Sequence, residues 1–240
     1  MRKDYTGTVK SIKNIALNTY EMKIESKLDE AYSGQFISIL CPNKTLRRPF
    51  SISDFDFETK TLTVLFKLKG DGTNYLKSLN EGDKIKFLGP NGNRFKLEDT
   101  NCLLVGAGIG IAPMLFLKKE LNEKGIKNYL ISGFKEQNEI IQGSDENVIG
   151  GSVLDNLEKI VKEKNIKVIY SCGPNIVLKK VAQLAKDLKI RSYVAMERVM
   201  ACSIGVCRGC VIRLYKENQI VYGSVCQDGP VFEGSEVVWE

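Results

Sequence analysis

The 240-residue chain has no histidine. That excludes a Rieske-type iron–sulfur centre, which needs two imidazoles, and the zinc sites built on histidine. No apolar run approaches the roughly 20 residues that span a bilayer, so no membrane partner is expected. Residues 1–10 are polar and hold no apolar core of signal-peptide length. The seven cysteines are an odd count, and with no secretory signal a disulfide framework is not expected. Aromatics make up 8% of the chain and do not interleave with the scattered lysines. The net charge of +6 therefore reads as a solvated surface, and nucleic acid is not an expected partner. There is no internal repeat and no low-complexity linker. At 43% hydrophobic and 27% charged residues the chain is ordinary for a globular protein, and a reducing, cytoplasmic compartment suits its free thiols.

What is present is concentrated near the end. Cys202, Cys207 and Cys210 are spaced Cys-x4-Cys-x2-Cys, and Cys226 follows after 15 residues. This is the plant-type spacing for a [2Fe–2S] cluster, whose two irons take four thiolates. Gly205 and Gly209 fall inside the loop, where backbone wrapping a cluster needs unusual torsions and room for sulfide. The competing readings are a zinc site, disulfides or unrelated buried thiols. Zinc sites more often use two close cysteine pairs or histidines. An iron–sulfur centre carries single electrons, so the remaining chain should hold a donor and an acceptor. Cys41 and Cys102 are expected to be dispensable core thiols.

Residues 1–97 read as short strands and turns. Leu62, Val64, Phe66 and Leu68 alternate along Thr61 to Lys69, and Gln35 to Cys41 is a second apolar strand. Turn signals follow at Gly70–Gly72, Glu81–Asp83 and Gly89–Gly92. The pattern predicts a small antiparallel barrel. Two polar features interrupt it. In Arg47 to Ile52, Arg48 could grip a pyrophosphate, Phe50 could cover a flat ring and Ser51 could bond a ring nitrogen, with Pro49 stiffening the backbone. In Lys67 to Leu76, Gly70, Gly72 and Thr73 form a loop before a short helix expected over Tyr75 to Leu79, a place where amides favour phosphate.

Residues 98–196 change period. Cys102 to Val105 is a strand, followed by Gly106, Gly108 and Gly110 and then an apolar helix. Strand, glycine loop and helix present amides and a helix dipole to a pyrophosphate. Counted from Gly108 the loop reads G-x-G-x-x-P, so a variant of the usual dinucleotide fold is the better description. Strands are expected at Asn128–Phe134, Lys167–Cys172 and Ile190–Ala195, with helices at Val153–Lys164 and Asn175–Leu188. The second helix should bury Val177, Val181, Leu184 and Leu188. This alternation predicts a parallel sheet with ligands at the carboxyl ends of its strands. Both the glycine loop and Cys172-Gly173-Pro174 fall at such ends. The expected architecture is a multi-domain α+β chain: an antiparallel β-barrel (1–97), an α/β parallel-sheet domain (98–196) and a cysteine module (197–240).

These motifs together resemble the ferredoxin–NADP reductase superfamily. With Met200 to Ile212 and Val225 to Phe232 added, the chain resembles the electron-transfer subunits of class 1B dihydroorotate dehydrogenase. The resemblance implies FAD in the barrel, with Arg48, Pro49, Phe50 and Ser51 as the flavin segment, Leu65, Phe66 and Lys67 as its second strand, and Gly72 and Thr73 as the phosphate loop. It implies NAD on Gly106, Gly108, Gly110, Cys172, Gly173 and Pro174, and a [2Fe–2S] cluster on Cys202, Cys207, Cys210 and Cys226. No side chain is implied as a catalytic acid or base. It also implies a partner, an FMN-containing catalytic subunit that oxidises dihydroorotate, in a heterotetramer with two of each subunit. Electrons would pass from FMN through the cluster and FAD to NAD, in pyrimidine biosynthesis. No clear acidic partner for a ribose hydroxyl follows the second strand, where Lys135 and Glu136 stand, so NAD over NADP rests on the resemblance. A related flavin–cluster reductase serving sulfide, ferredoxin or hydrogenase chemistry is the alternative. A zinc-stapled nucleotide-binding module is the reading from outside redox chemistry.

Overall fold

The computed structural model of the chain describes residues 3–42 and 44–239. The N-terminal part is a closed antiparallel barrel. Its strands are β1 (Lys3–Ala16), β2 (Thr19–Glu25), β3 (Phe36–Ile39), β4 (Arg48–Asp56), β5 (Thr61–Lys67) and β6 (Lys84–Asn91), and the order around the barrel is β1-β2-β5-β4-β3-β6. Alternation fills the interior: Met22 and Ile24 from β2, Ile37 and Ile39 from β3, and Leu62, Val64 and Phe66 from β5 share one core. Burying each such side chain contributes about 1.5–3 kcal/mol as an upper estimate. The outer face of β5 is covered too. Leu65 is buried in a different core, shared with the second domain, so the strand is wrapped on both sides.

Helix α1 (Asp71–Ser78) packs Leu76 into the barrel's core. It starts four residues earlier than expected, so Gly72 and Thr73 lie in its first turn instead of in a loop. The cause is Thr73, whose Oγ1 accepts from the amides of Lys69 (2.9 Å) and Gly70 (3.2 Å). This satisfies donors that a helix start leaves open.

The second domain is a six-stranded sheet of order β14-β11-β10-β7-β8-β9. Its strands β7 (Cys102–Ala107), β8 (Asn128–Phe134), β9 (Glu146–Ile149), β10 (Val168–Cys172) and β11 (Arg191–Ala195) run parallel. Helices α2 (Ile111–Glu123), α3 (Leu157–Glu163) and α4 (Asn175–Asp187) supply the crossovers. Strands buried on both faces explain the near-continuous apolar runs. On α4 the buried residues are Leu178, Val181, Ala182 and Ala185. On that face a Cβ on Gly234 would stand 2.9 Å from that of Ala182, so this small side chain lets the C-terminal segment approach closely. Val177, Leu184 and Leu188 pack at the margin.

Residues from the C-terminal module complete the same sheet. Strand β14 (Val231–Glu233) pairs antiparallel with β11, a strand the sequence reading did not anticipate. The hairpin β12 (Val211–Lys216) and β13 (Gln219–Ser224) forms a separate two-stranded sheet. Helix α2 wedges between barrel and sheet. Lys119 Nζ reaches Asp54 Oδ1 at 2.7 Å and Phe55 O at 3.2 Å, and the Ser33 hydroxyl donates to the Glu120 carboxylate. No helix among the described residues is long and apolar enough to cross a membrane.

Candidate flavin, nucleotide and iron–sulfur sites

Backbone amides supply the cysteine loop's main feature. All four sulfurs accept main-chain N–H groups. Cys202 Sγ takes those of Ile204 and Cys207, each at 3.4 Å. Cys207 Sγ takes that of Gly209 (3.4 Å), Cys210 Sγ that of Cys226 (3.4 Å), and Cys226 Sγ that of Gly205 (3.1 Å). Gly205 lies at φ 86°, a conformation that favours glycine, and a Cβ there would stand 1.7 Å from Gln227 Oε1.

Such a donor set suits thiolates. Burial pushes the Cys202 thiol up, but the amides of Cys207 and Ile204, with the Cys207 thiol and the Val206 amide, outweigh it and bring it down to about 6. Burial and the apposed Cys210 thiol push Cys226 up to about 12. Metal binding at Cys226 would release that proton. Among the described residues, no three ligating side chains are placed around a single metal-ion point. The fit of the loop to a sulfur-rich cluster therefore rests on its amides. Cys207 is exposed, Cys202 half-buried, and Cys210 and Cys226 are buried.

The segments expected to hold flavin and phosphate meet in one groove. A cavity of about 280 Å³ is lined by Arg48, Pro49, Phe50, Lys69, Gly70, Asp71, Gly72 and Thr73. Arg48 lies across Gly72, where a Cβ would stand 2.9 Å from Nε, so the glycine makes room for the guanidinium. Cys41, expected in the core, lies beneath, its thiol 3.7 Å from Gly72 O. Phe50 tilts against Phe66 at 6.0 Å, and Phe66 stacks on Tyr20 at 5.7 Å. The side chains of Leu65 and Phe66 are buried in cores, and Lys67 pairs with Glu139 of the second domain. Ser51 sits opposite Phe36 in the β3–β4 ladder, and Phe36 packs in one core with Cys210 and Cys226. A single ring thus joins the strand of Ser51 to the cysteine module.

At the sheet's edge the other two motifs touch. Cys172 pairs in register with Gly106. A Cβ on Gly110 would stand 2.4 Å from Cys172 O, and one on Gly173 would stand 2.7 Å from Ala107 Cβ. Gly108, at φ 57°, has open space where a side chain would go. Pro174 caps α4. Burial raises the Cys172 thiol, and the nearby Glu197 carboxylate raises it further. Glu197 was not singled out from sequence, because Met196-Glu197-Arg198 reads as a connector between a strand and the first cluster cysteine. It stays solvent-accessible. Desolvation by surrounding protein, against the pull of the Lys69 ammonium, raises its carboxyl. Cys102 is a core thiol pushed up to about 12 by burial and by Glu98 and Asp99.

A barrel with this groove, a parallel sheet with this edge and a cysteine loop between them define a flavin oxidoreductase of the ferredoxin–NADP reductase fold with an iron–sulfur module. The family model described as "Iron-sulfur cluster binding domain of dihydroorotate dehydrogenase B" matches residues 197–238. A protein of Caldanaerobacter subterraneus subsp. tengcongensis named "Dihydroorotate dehydrogenase B (NAD(+)), electron transfer subunit" is 36% identical, with 100% of both chains covered. One of Streptococcus pneumoniae serotype 4 with the same name is 34% identical over 93% of this chain and 96% of its own. The solved structure of an NADH-dependent reduced ferredoxin-NADP oxidoreductase, described in terms of flavin-based electron bifurcation, superposes with a TM-score of 0.85. It is 27% identical, and 97% of this chain and 90% of that one are covered. Phthalate dioxygenase reductase shares the fold at a TM-score of 0.66 and 16% identity, over 93% of this chain and 77% of its own. The chain belongs to the family of dihydroorotate dehydrogenase B (NAD(+)) electron transfer subunits.

Proposed function

We propose that the chain carries electrons from the FMN of a dihydroorotate-oxidising catalytic subunit, through a [2Fe–2S] cluster and FAD, to NAD+, in the pyrimidine (UMP) pathway. The assembly is a cytoplasmic heterotetramer with two of each subunit. The family membership supports the reading, and full-length relatives at 34–36% identity favour it over a reductase serving ferredoxin, sulfide or hydrogenase chemistry. The observation that carries it within the fold is the core around Phe36. There Phe36, on the strand beside the expected flavin segment, packs with the sheet's Val194 and the ligand candidates Cys210 and Cys226.

Residues 1–97, 98–196 and 197–240 serve as flavin, nucleotide and cluster units. A bound flavin supplies the exchange between single electrons and hydride that the two ends of the path require. The chain's own residues bind and orient. Arg48, braced on Gly72, holds the pyrophosphate with the first turn of α1 that Thr73 caps. Phe50 and Pro49 cover the ring system, and Ser51 bonds its polar edge. Leu65, Phe66 and Lys67 contribute main chain, because their side chains are engaged in cores or with Glu139. Gly106, Gly108 and Gly110 bring amides to the dinucleotide, and Cys172, Gly173 and Pro174 flank the nicotinamide. Cys202, Cys207, Cys210 and Cys226 ligate the irons, with the loop amides donating to their sulfurs.

The test is anaerobic co-purification with the partner polypeptide. Iron, acid-labile sulfide, FAD and FMN should be present, and dihydroorotate should reduce NAD+. A complex that lacks sulfide and flavin, or that reduces only ferredoxin, would overturn the assignment.

A further inference from the structure

Ser203 stands between the ligand candidates Cys202 and Cys207, and the proposed path gives it no role. Its side chain is 1% exposed. Among the described residues its hydroxyl has no hydrogen-bond partner. Its backbone lies at φ 60°, in the left-handed region that glycine occupies freely and other residues do not. A buried hydroxyl without a partner costs about 1–3 kcal/mol, and folded proteins rarely leave one unanswered. Glycine at this position would avoid both penalties, so serine needs a compensating acceptor. From Cys202 to Cys210 it is the single hydroxyl-bearing residue. The acceptors such a loop gathers are sulfurs, and each cysteine sulfur already receives at least one amide.

We propose that Ser203 tunes the cluster: its hydroxyl donates a hydrogen bond to a sulfur of the bound [2Fe–2S] group and holds the reduction potential up. A donor aimed at sulfur favours the state carrying more negative charge, the same physics by which loop amides act. The inference rests on the four cysteines being cluster ligands.

The test uses the complex with its catalytic subunit, prepared as wild type, Ser203→Ala and Ser203→Gly. Each is titrated redox-potentiometrically and read by the paramagnetic resonance of the cluster and by flavin absorbance. Both variants should shift the cluster potential to more negative values while the FAD potential stays in place. Glycine is at ease at this backbone angle, so it separates loss of the hydroxyl from any change in loop strain. An unmoved cluster potential in both variants overturns the inference. So does a shift in the alanine variant that glycine does not share. Wild-type complex without iron and sulfide would sink the cluster assignment itself, a different and recognisable failure.

Discussion

Gly110 offers a steric experiment on the nucleotide edge. It lies at φ −62° and ψ −9°, a conformation any residue adopts, so alanine there introduces no backbone penalty. The cost is contact. A Cβ would stand 2.4 Å from Cys172 O, 2.6 Å from Cys172 C and 2.8 Å from Gly173 N. Ordinary contact begins near 3.4 Å, so the glycine loop and the Cys172-Gly173 turn must part by about 1 Å. Both sides are main chain, and no flexible side chain can absorb the shift. Overpacking of this kind costs about 1–3 kcal/mol, and a 1 Å displacement of a binding edge costs on the order of 100-fold in rate. Gly110→Ala should therefore lower kcat/KM for NAD+ by about two orders of magnitude. Dihydroorotate-dependent reduction of a dye that takes electrons at the catalytic subunit should be unchanged. Flavin and iron content should match wild type. A variant with NAD-linked kcat/KM within about 3-fold of wild type, an effect under 1 kcal/mol, would refute the idea that this contact shapes the dinucleotide site.

Further outcomes follow from the other sites. Cys207→Ser should lose the cluster's paramagnetic signal on reduction yet retain FAD, because the groove of Arg48 to Thr73 does not include the cysteine loop; a full signal would mean the ligands are misassigned. Ser51→Ala should slow NAD-linked turnover while FAD stays bound, measured by stopped-flow absorbance, and unchanged turnover would remove that role. Glu120 gives a pH test. Its burial in the barrel–sheet junction raises its carboxyl above the ordinary 4.5, against the two Ser33 donors and Arg94. A raised folded-state value means that the folded state holds the proton more tightly. The stabilisation is full below about 4.5 and is lost as pH rises through the raised folded value. Glu120→Gln keeps a partner for Ser33 and should flatten that part of the Tm–pH curve; an unaltered slope would show that Glu120 is not its source.

The sites differ in how far they could be read without coordinates. The cysteine spacing was legible because a cluster imposes a local ligand register. The barrel strands were legible as period-two alternation and the crossover helices as longer apolar runs. The glycine loop and Cys-Gly-Pro each announced a strand end, and their contact through Gly110 and Cys172 follows once β7 and β10 pair in parallel. Glu197 escaped notice because a carboxylate in a connector has no local signature. Its significance comes from Lys69 and Cys172, 128 and 25 residues away along the chain. Thr73 was placed in a loop because its hydroxyl's choice of the Lys69 and Gly70 amides, which moves the helix start, depends on geometry that composition does not carry.

Local covalent order dictated the candidate ligand spacing, the strand periods and the glycines that main-chain crowding demands. Those depend on residues near one another in the chain, where spacing is chemistry. Folding in three dimensions decided that β14 would leave the cysteine module to complete the nucleotide sheet, and that Phe36 would join the flavin strand to Cys210 and Cys226. It also set which face α4 would bury. These outcomes turn on packing between segments far apart in sequence, where the winner is the arrangement that excludes most water from apolar surface while leaving fewest polar groups unpaired.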